Sequence, residues 1–365
     1  MKGILVLSWA CVALIPLAAL GQQTPPAPAL EWKTPLDPAE VGFRFDDNVF
    51  RQVSPSGRLP DEVYFLNWGG GVEAHFDIFK GSLGYQLGDD QYQSYNTLNK
   101  LKNNFNLAIG IEPGDWAFSI KKNFYIRNCL DSDFNYFDNG DFLDARWIPS
   151  GPWSSEVTYK DYSRQYYDKT DTFQSRDFLD RAGIIAVQRE VNENFSLKLE
   201  GSYNNRQFNR YLVVLNGGEP LSSTSFPLQT DETWTGKLSG HLYLGSILQD
   251  FSLEHQRTDS NSYGFSNTVE SFSWAAVVRP APSFYLQLFF RLFSKVYDSP
   301  PLTLPDLQIG YVDEDSQDLL SIKTSWEWSP QWMADISLNR LRTETTQPGQ
   351  FYIKDILSVE VQRNF

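Results

Sequence analysis

Histidine and serine side chains are the first places to look for catalytic chemistry in this chain. The sequence contains three histidines, His75, His241 and His255. A hydrolase needs a nucleophile and a base within hydrogen-bond reach, and a third group that orients the base. No serine near these histidines lies in a G-x-S-x-G motif, and the segment GSLG at 81–84 only borders a turn. We therefore expect no enzymatic activity and no catalytic residue.

Acidic side chains are the next candidates, as metal ligands. The run DSDFNYFDNGD at 131–141 starts with acidic residues at calcium-loop spacing. Tyr136 stands where the motif needs glycine, and Phe142 replaces the closing glutamate. A solvated loop is therefore expected, with a divalent-cation site as the alternative. The run DEDSQD at 313–318 is expected to be another solvated loop, so neither a metal site nor a cofactor is predicted.

The chain's start and its charge limit where it acts and what it binds. Residues 1–21 have Lys2, an apolar run and small residues at their end, which predicts a cleaved secretory signal peptide. Cleavage leaves Cys129 as the single cysteine, so no internal disulfide is expected. The formal net charge of −14 argues against a nucleic-acid partner, because such proteins are usually basic.

Alternation of apolar and polar residues then describes the elements that would position any site. In the segment 101–111, Leu101, Phe105 and Ile109 share one face with other apolar residues, while polar and small residues fill the opposite face. EPGD at 112–115 makes a turn, and the same alternation resumes in the next segment. Strict alternation predicts strands with one apolar and one polar face. Many aromatic residues (11 Trp, 18 Tyr and 26 Phe) in a chain of mean hydropathy −0.39 fit this design.

The connections between these segments alternate between short and long. Barrels of the bacterial outer membrane have short periplasmic turns and long extracellular loops. Placing one short turn at PSGP, 149–152, restores the alternation by adding a strand near 139–148. The fold class is therefore all-β, a transmembrane antiparallel up-and-down β-barrel of about 16 strands, with 14 or 18 as alternatives. The barrel is expected over 41–365, after a proline-rich periplasmic leader at 22–40.

The end of the chain carries a family resemblance. VEVQRNF has apolar residues at alternate positions and ends on phenylalanine, with Arg363 as a departure from the pattern. It resembles the final strand of Gram-negative outer-membrane β-barrel proteins, including porins. The resemblance implies an outer-membrane location, contact with lipid and lipopolysaccharide, and an assembly signal for the barrel-assembly machinery at Val359, Val361 and Phe365. More weakly, GFRFDDNVFRQ and the segment 81–111 resemble barrel-porin families associated with surface-polysaccharide pathways.

Inward-facing residues give the expected function. Acidic and basic residues are nearly balanced on the inward face, which predicts a charge-mixed lumen without strong ion selectivity. We expect a porin-like channel for passive or facilitated diffusion of small hydrophilic solutes, carbohydrate being favoured. The alternative is an accessory or structural barrel of an export system, without an open pore. Aromatic and neighbouring basic residues are the solute-contact candidates: Tyr125, Arg127, Tyr162, Tyr243, Phe289, Arg291, Phe293 and Tyr297. The long loop 207–230 is expected to be able to narrow the lumen.

Overall fold

The computed structural model describes most of the chain. The described residues are 39–47, 60–130, 135–167, 177–216, 219–299, 318–343 and 352–363. The predicted signal peptide, most of the predicted leader and Phe365 lie outside these residues. The first strand begins at Ala39, so the last two residues of the segment predicted as leader, Ala39 and Glu40, belong to the sheet. No helix among the described residues is long and apolar enough to span a bilayer.

Strands dominate the described residues, because the period-two alternation continues along the chain. Their bounds are β1 Ala39–Asp46, β2 Asp61–Phe76, β3 Phe79–Tyr92, β4 Lys100–Ile111, β5 Trp116–Cys129, β6 Tyr136–Trp147, β7 Trp153–Tyr166, β8 Phe178–Asn192, β9 Phe195–Tyr211, β10 Val213–Asn216, β11 Glu219–Ser222, β12 Leu228–Leu244, β13 Ile247–Ser260, β14 Asn267–Ala281, β15 Phe284–Tyr297, β16 Asp318–Ser329, β17 Trp332–Thr343 and β18 Tyr352–Arg363. A single 3₁₀ turn, Asn96–Leu98, lies between β3 and β4.

Sixteen of these strands form one closed antiparallel barrel, which confirms the predicted fold class and strand number. Each barrel strand pairs with its neighbours along the chain, and β9 pairs with β12. The ring closes where β1 pairs with β18, Ala39 standing opposite Arg363. The two remaining strands, β10 and β11, form a separate hairpin between β9 and β12. The strand predicted near 139–148 exists as β6, although it starts a few residues earlier.

Short turns and long connections alternate around the barrel. The short turns lie at one end, and two of them depend on glycines with positive φ, Gly114 at 62° and Gly245 at 63°. A side chain at either position would be strained, since that backbone conformation disfavours residues with a Cβ atom. We call this end of the barrel the short-turn end and the opposite end the long-loop end.

The outward face of the barrel is apolar over a band next to the short-turn end. Exposed aliphatic residues of this band include Val41, Leu66, Leu83, Leu107, Ile109, Ile120, Leu143, Val157, Ile185, Leu199, Leu238, Leu253, Leu292, Ile322, Ile336 and Val359. A band of this kind is what the hydrocarbon of a bilayer covers in a membrane barrel.

The same outward face turns polar toward the long-loop end. Fifteen boundary residues lie on β2 to β9 and β12 to β18, and Asp47 follows β1 directly; the fifteen are Glu62, Asp89, Asn103, Lys122, Asp141, Asp161, Arg181, Asn205, Glu232, His255, Glu270, Ser294, Asp318, Arg340 and Asp355. Several pair with each other across strands, such as Lys122 with Asp141 at 2.6 Å and Arg340 with Asp355 at 2.9 Å. The change from apolar to charged side chains fixes the upper limit of the band.

The inward face carries nearly equal numbers of basic and acidic residues, as predicted. The bases are Arg44, Lys80, Lys100, Lys102, Lys121, Arg127, Arg146, Lys160, Arg164, Lys198, Arg206, Arg210, Lys237, Arg291, Lys295, Lys323 and Lys354, and the acids are Glu40, Asp46, Asp61, Glu73, Asp90, Asp138, Asp144, Glu156, Asp180, Glu190, Glu200, Asp231, Asp250, Glu254, Glu327, Asp335 and Glu360. Because the total charge of the inward face is balanced, a binding site inside the barrel must depend on how charges are arranged locally.

Candidate functional site: the inner wall of the barrel

Neighbouring strands β5 to β9 place arginine and aromatic side chains side by side on the inner wall near the long-loop end. The strand register causes this, because Arg127 stands opposite Tyr136, Arg164 opposite Phe178, and Phe178 opposite Phe208. We call the set the arginine–aromatic ladder. Its members are Tyr125, Arg127, Tyr136, Tyr162, Arg164, Phe178, Arg206 and Phe208.

Guanidinium groups in the ladder lie over aromatic rings. Arg164 lies 4.1 Å from the ring centre of Tyr136, on which Arg127 also stacks at 5.6 Å. Arg206 lies 4.4 Å from the ring centre of Phe178. A cation held over a ring within about 6 Å is attracted by the ring's quadrupole. These contacts fix the orientation of side chains that would otherwise be flexible, so the ladder is a pre-arranged surface.

Aromatic rings of the ladder also contact one another. Tyr125 and Tyr136 have ring centres 5.8 Å apart, Tyr162 and Phe178 are 5.8 Å apart, and Phe178 and Phe208 are 6.0 Å apart. Aromatic pairs at such distances are worth about 0.5–1.5 kcal/mol beyond their area burial. The rings therefore form two groups along the inner wall, and Arg164 joins them by lying over Tyr136 at 4.1 Å and over Phe178 at 5.9 Å.

Short carboxylates anchor the basic side chains of this region. Asp138 accepts two hydrogen bonds from Arg164, at 2.8 and 2.9 Å. Asp180 accepts from Arg206 at 3.2 Å and lies 3.5 Å from Lys160. Two-point contact between a guanidinium and a carboxylate is geometrically specific as well as charge-assisted. Each buried aspartate therefore determines where its arginine points.

The same arrangement continues toward the seam between β1 and β18. Asp90 is nearly fully buried and contacts Lys102 at 3.0 Å, Lys100 at 3.2 Å and Arg44 at 3.7 Å. The Nζ atom of Lys354 lies 2.6 Å from the carboxylate of Asp46. The long-loop half of the inner wall thus presents bases on β1, β4, β5, β7, β9 and β18.

A packed cluster lies at the mouth above β9 and β12 to β14. Arg210 is 2% exposed, and it hydrogen-bonds Gln229 at 2.8 Å and lies over the rings of Phe208 and Phe265. The β10–β11 hairpin joins this cluster through Val213, whose amide donates to the Ser262 hydroxyl at 2.9 Å. We call Arg210, Val213, Gln229, Ser262 and Phe265 the mouth cluster.

The mouth cluster refines the interpretation of the segment 207–230, which we expected to be one long loop. Its first residues extend β9, its last ones begin β12, and a hairpin occupies the middle. Two four-residue strands in a polar segment give too little alternation to be recognised in the sequence.

The short-turn half of the inner wall has charge pairs but no comparable ladder among the described residues. Lys198 lies 2.8 Å from Glu200, and Lys80 lies 2.6 Å from Glu112. Small residues on β3 to β5 leave a recess of about 240 Å³ there, bordered by Lys80, Lys121 and Arg146. His75 and His241 face inward and contact Glu73 and Asp250, whereas His255 faces outward toward Glu270.

The solute-contact candidates proposed from the sequence lie at three places on the inner wall. Tyr125, Arg127 and Tyr162 lie in the ladder. Phe289, Arg291, Phe293 and Tyr297 lie on the inward face of β15, and Tyr243 lies at the short-turn end of β12. The structure therefore does not bring all of them to one place.

The assembly-signal residues and the acidic segments have the following positions. Val359 and Val361 face outward on β18, opposite Phe43 and Val41. Phe365 lies outside the described residues, as do 131–134 and 313–317 of the two acidic segments. Tyr136, which interrupts the calcium-loop pattern, is a member of the ladder.

Sequence reasoning missed Tyr136, Phe178, Arg206 and Phe208 as members of one surface. All four occupy positions whose side chains point inward, and the alternation of apolar and polar residues along each strand predicts this. Their mutual proximity depends on the pairing register across the long connections after β5 and β7 and across the short turn between β8 and β9, which alternation alone does not give. The available signal was an inward Arg–x–aromatic or aromatic–x–Arg step on β5, β7 and β9, alternating with an inward aromatic–x–Asp step on β6 and β8.

Comparisons with known proteins show the fold alone. No protein-family model and no curated protein matches the chain. A loop-deletion mutant of OmpT, an outer membrane protein of Vibrio cholerae, is 9% identical, with a TM-score of 0.53 over 92% of this chain and 99% of that one. Outer-membrane expressed OmpT of Vibrio cholerae is also 9% identical, with a TM-score of 0.51 over 94% of this chain and 100% of that one. An anion-selective porin from Comamonas acidovorans is 10% identical at a TM-score of 0.48, over 92% and 100%. The chain therefore has the fold of an outer-membrane β-barrel.

Proposed function

We propose that this protein is an outer-membrane channel through which small hydrophilic solutes diffuse, without a catalytic step. The observation that supports it is the contrast between the two faces of one closed sixteen-strand sheet, apolar outside and charged inside. Barrels of about this strand number are wide enough to leave an aqueous channel. The charged groups on the inner wall need water or a polar solute around them, because removing a charged group from a polar environment is costly.

Location and orientation follow from the same architecture. The short-turn end faces the periplasm, and the long-loop end faces the cell exterior. A cleaved signal peptide at 1–21 directs export, and the final strand, with Val359, Val361 and Phe365, is the signal for the barrel-assembly machinery. Lipid contacts the apolar band, and lipopolysaccharide contacts the polar boundary above it. Fractionation of the membranes and determination of the mature amino terminus test these assignments.

The test of channel activity uses the mature chain refolded in detergent. Liposome swelling across neutral solutes of rising size should give a size-dependent rate, and planar bilayers should show discrete conductance steps. Heat-denatured protein provides the control for detergent leakage. A folded, inserted barrel that gives neither swelling nor conductance contradicts the proposal.

A second candidate function is an accessory or structural barrel without open-pore activity. The mouth cluster favours it, because the β10–β11 hairpin is fastened to the β13–β14 connection at this end of the barrel. Replacing 213–222 by a short glycine–serine linker distinguishes the two. A channel gains conductance from a measurable starting value, whereas a closed accessory barrel changes from silent to conducting.

A further inference from the structure

The long-loop half of the inner wall covers its acids more completely than its bases. Asp180 is 3% exposed under Arg206 at 36%, and Asp138 is 9% exposed beside Arg164 at 28%. Asp90 is 3% exposed, whereas Lys102 is 31% exposed. Aspartate is short and stays at the wall, while arginine and lysine extend beyond it. A solute in the lumen therefore meets basic groups first, although the numbers of charges are balanced.

Hydrogen-bond donors remain on those basic groups after the wall pairs are formed. Arg164 and Arg206 each use Nε and Nη2 on their aspartates. A guanidinium has five N–H donors, so Nη1 of each arginine lies outside these bonds. Arg127 lies over Tyr136, and none of the described ion pairs gives it a carboxylate. These groups suit a carboxylate, whose two oxygens accept in the plane of the guanidinium.

Aromatic rings between the bases add a second requirement. A ring in an aqueous lumen gains from contact with an apolar surface, and a saccharide ring offers one face of C–H groups with hydroxyls at its edge. The hydroxyl of Tyr162 already accepts a hydrogen bond from Arg164 at 3.2 Å, so polar and apolar contacts alternate within one strip. A simple inorganic anion would use the arginines and make no contact that needs the apolar surface of the rings.

We propose that the arginine–aromatic ladder is a binding site for acidic saccharides, that is, for sugar rings that carry carboxylates. The carboxylates contact Arg127, Arg164 and Arg206, and the rings of Tyr136 and Phe178 border the sugar. This inference rests on the proposed function only for the route by which the saccharide arrives, since the binding surface exists whether or not the pore conducts.

Calorimetric titration of the mature, refolded barrel in detergent micelles tests the site directly. Trigalacturonate should bind about tenfold or more tightly than maltotriose at low salt, because each charge-assisted hydrogen bond is worth about one decade in affinity. Arg206→Gln and Arg127→Gln should each weaken trigalacturonate binding roughly tenfold. Arg127→Gln leaves the wall aspartates paired, so it reports on binding even if Arg206→Gln affects folding.

Lys198→Gln is the matched control, a base of the short-turn half that is 31% exposed. Its binding constant should stay within about twofold of the unmodified barrel. Equal weakening by Lys198→Gln and Arg127→Gln would overturn the site, and so would equal affinity for the two trisaccharides. Conductance measured on the same preparations separates the two proposals: conductance without selective binding rejects only the saccharide site, and selective binding without conductance rejects only the channel.

Discussion

Both halves of the inner wall carry acid–base pairs, and they differ in which member of each pair is covered. Near the long-loop end, aspartates lie at the wall beneath arginines and lysines. Near the short-turn end, Lys198 and Glu200 are equally exposed, at 31% and 29%, and Lys237 and Glu254 differ only modestly. The covered aspartates of the short-turn half, Asp144 beneath Lys121 and Asp335 beneath Lys323, are exceptions.

Side-chain length explains why this difference matters. A glutamate reaches almost as far into the lumen as its basic partner does, so the pair presents charges of both signs to a solute. An aspartate does not, and its partner's charge then dominates the surface. Counting charges, either for the chain or for the inward face, would give no hint of an electropositive half. The depth of each charge determines the field that a solute meets.

The largest expected effect concerns the buried carboxylates. Asp180→Ala leaves Arg206 and Lys160 without their shared partner, and we expect it to lower the free energy of unfolding by about 3 kcal/mol. Glu200→Ala removes an exposed carboxylate and should cost less than about 1 kcal/mol. Urea unfolding of refolded barrels in micelles measures both values. Equal losses would show that the two halves do not differ in the way described.

Ion selectivity should follow the long-loop half. Because that half presents bases to the lumen, the reversal potential in a KCl gradient should have the sign of a weak anion preference. The double variant Lys102→Gln/Arg206→Gln should shift it toward cations more than Lys198→Gln/Lys237→Gln does. A K⁺ over Cl⁻ permeability ratio far above ~10 in the unmodified barrel would contradict the whole comparison, since such ratios need aligned acidic rings.

A smaller effect is expected from the aromatic rings. Phe178→Leu keeps an apolar side chain but removes the ring beneath Arg206, and should cost about 0.5–1 kcal/mol beyond the change in packing. Phe289→Leu is the control, because none of the described cations lies over that ring. The difference between the two variants in urea unfolding gives the ladder's contribution. A difference of zero would mean that the guanidinium–ring contacts are incidental.

The smallest expected effect is the response of these losses to salt. Raising the ionic strength from about 0.1 M to 1 M shortens the screening length from about 10 Å to 3 Å. The cost of Glu200→Ala should then fall toward zero, because its pair is exposed. The cost of Asp180→Ala should remain, because its carboxylate is covered by protein. The same unfolding series at two salt concentrations provides this measurement. If salt lowered the cost of both substitutions equally, the carboxylates of Asp180 and Glu200 would not differ in burial.

Local alternation predicted more of the fold than of the site. Leu107 and Ile109 on β4, and Phe118 and Ile120 on β5, were assigned to the outer face because a strand reverses its side chains at every residue. The alternation of short and long connections gave the strand near 139–148, even though Asn139 and Asp141 interrupt its apolar face. Predicting these features requires only the order of neighbouring residues and the lengths of the connections along the chain.

The site depends on distances that alternation does not contain. Arg164 and Phe178 become neighbours across a long connection, and Arg206 meets Asp180 only through the register of β8 with β9. A shift of two residues would preserve every face and separate every one of these pairs. The covered position of Asp180 likewise depends on the lengths of the side chains on three strands at once. The carbohydrate contacts expected on β15 were chosen only because they face inward. Inward facing does not determine distance, and the structure places them apart from Tyr125 and Tyr162.

The pairing of Ala39 with Arg363 also has a consequence for the order of folding. The contact that closes the ring joins residues separated by nearly the whole described chain, so it carries the largest loop-closure entropy of any pair in the sheet. Every earlier stage has two open edges, on β1 and on the latest strand added, and each edge exposes unpaired backbone groups that can join another chain. Closure is therefore the step that ends the molecule's exposure to aggregation, and it cannot occur before β18 is free to pair with β1.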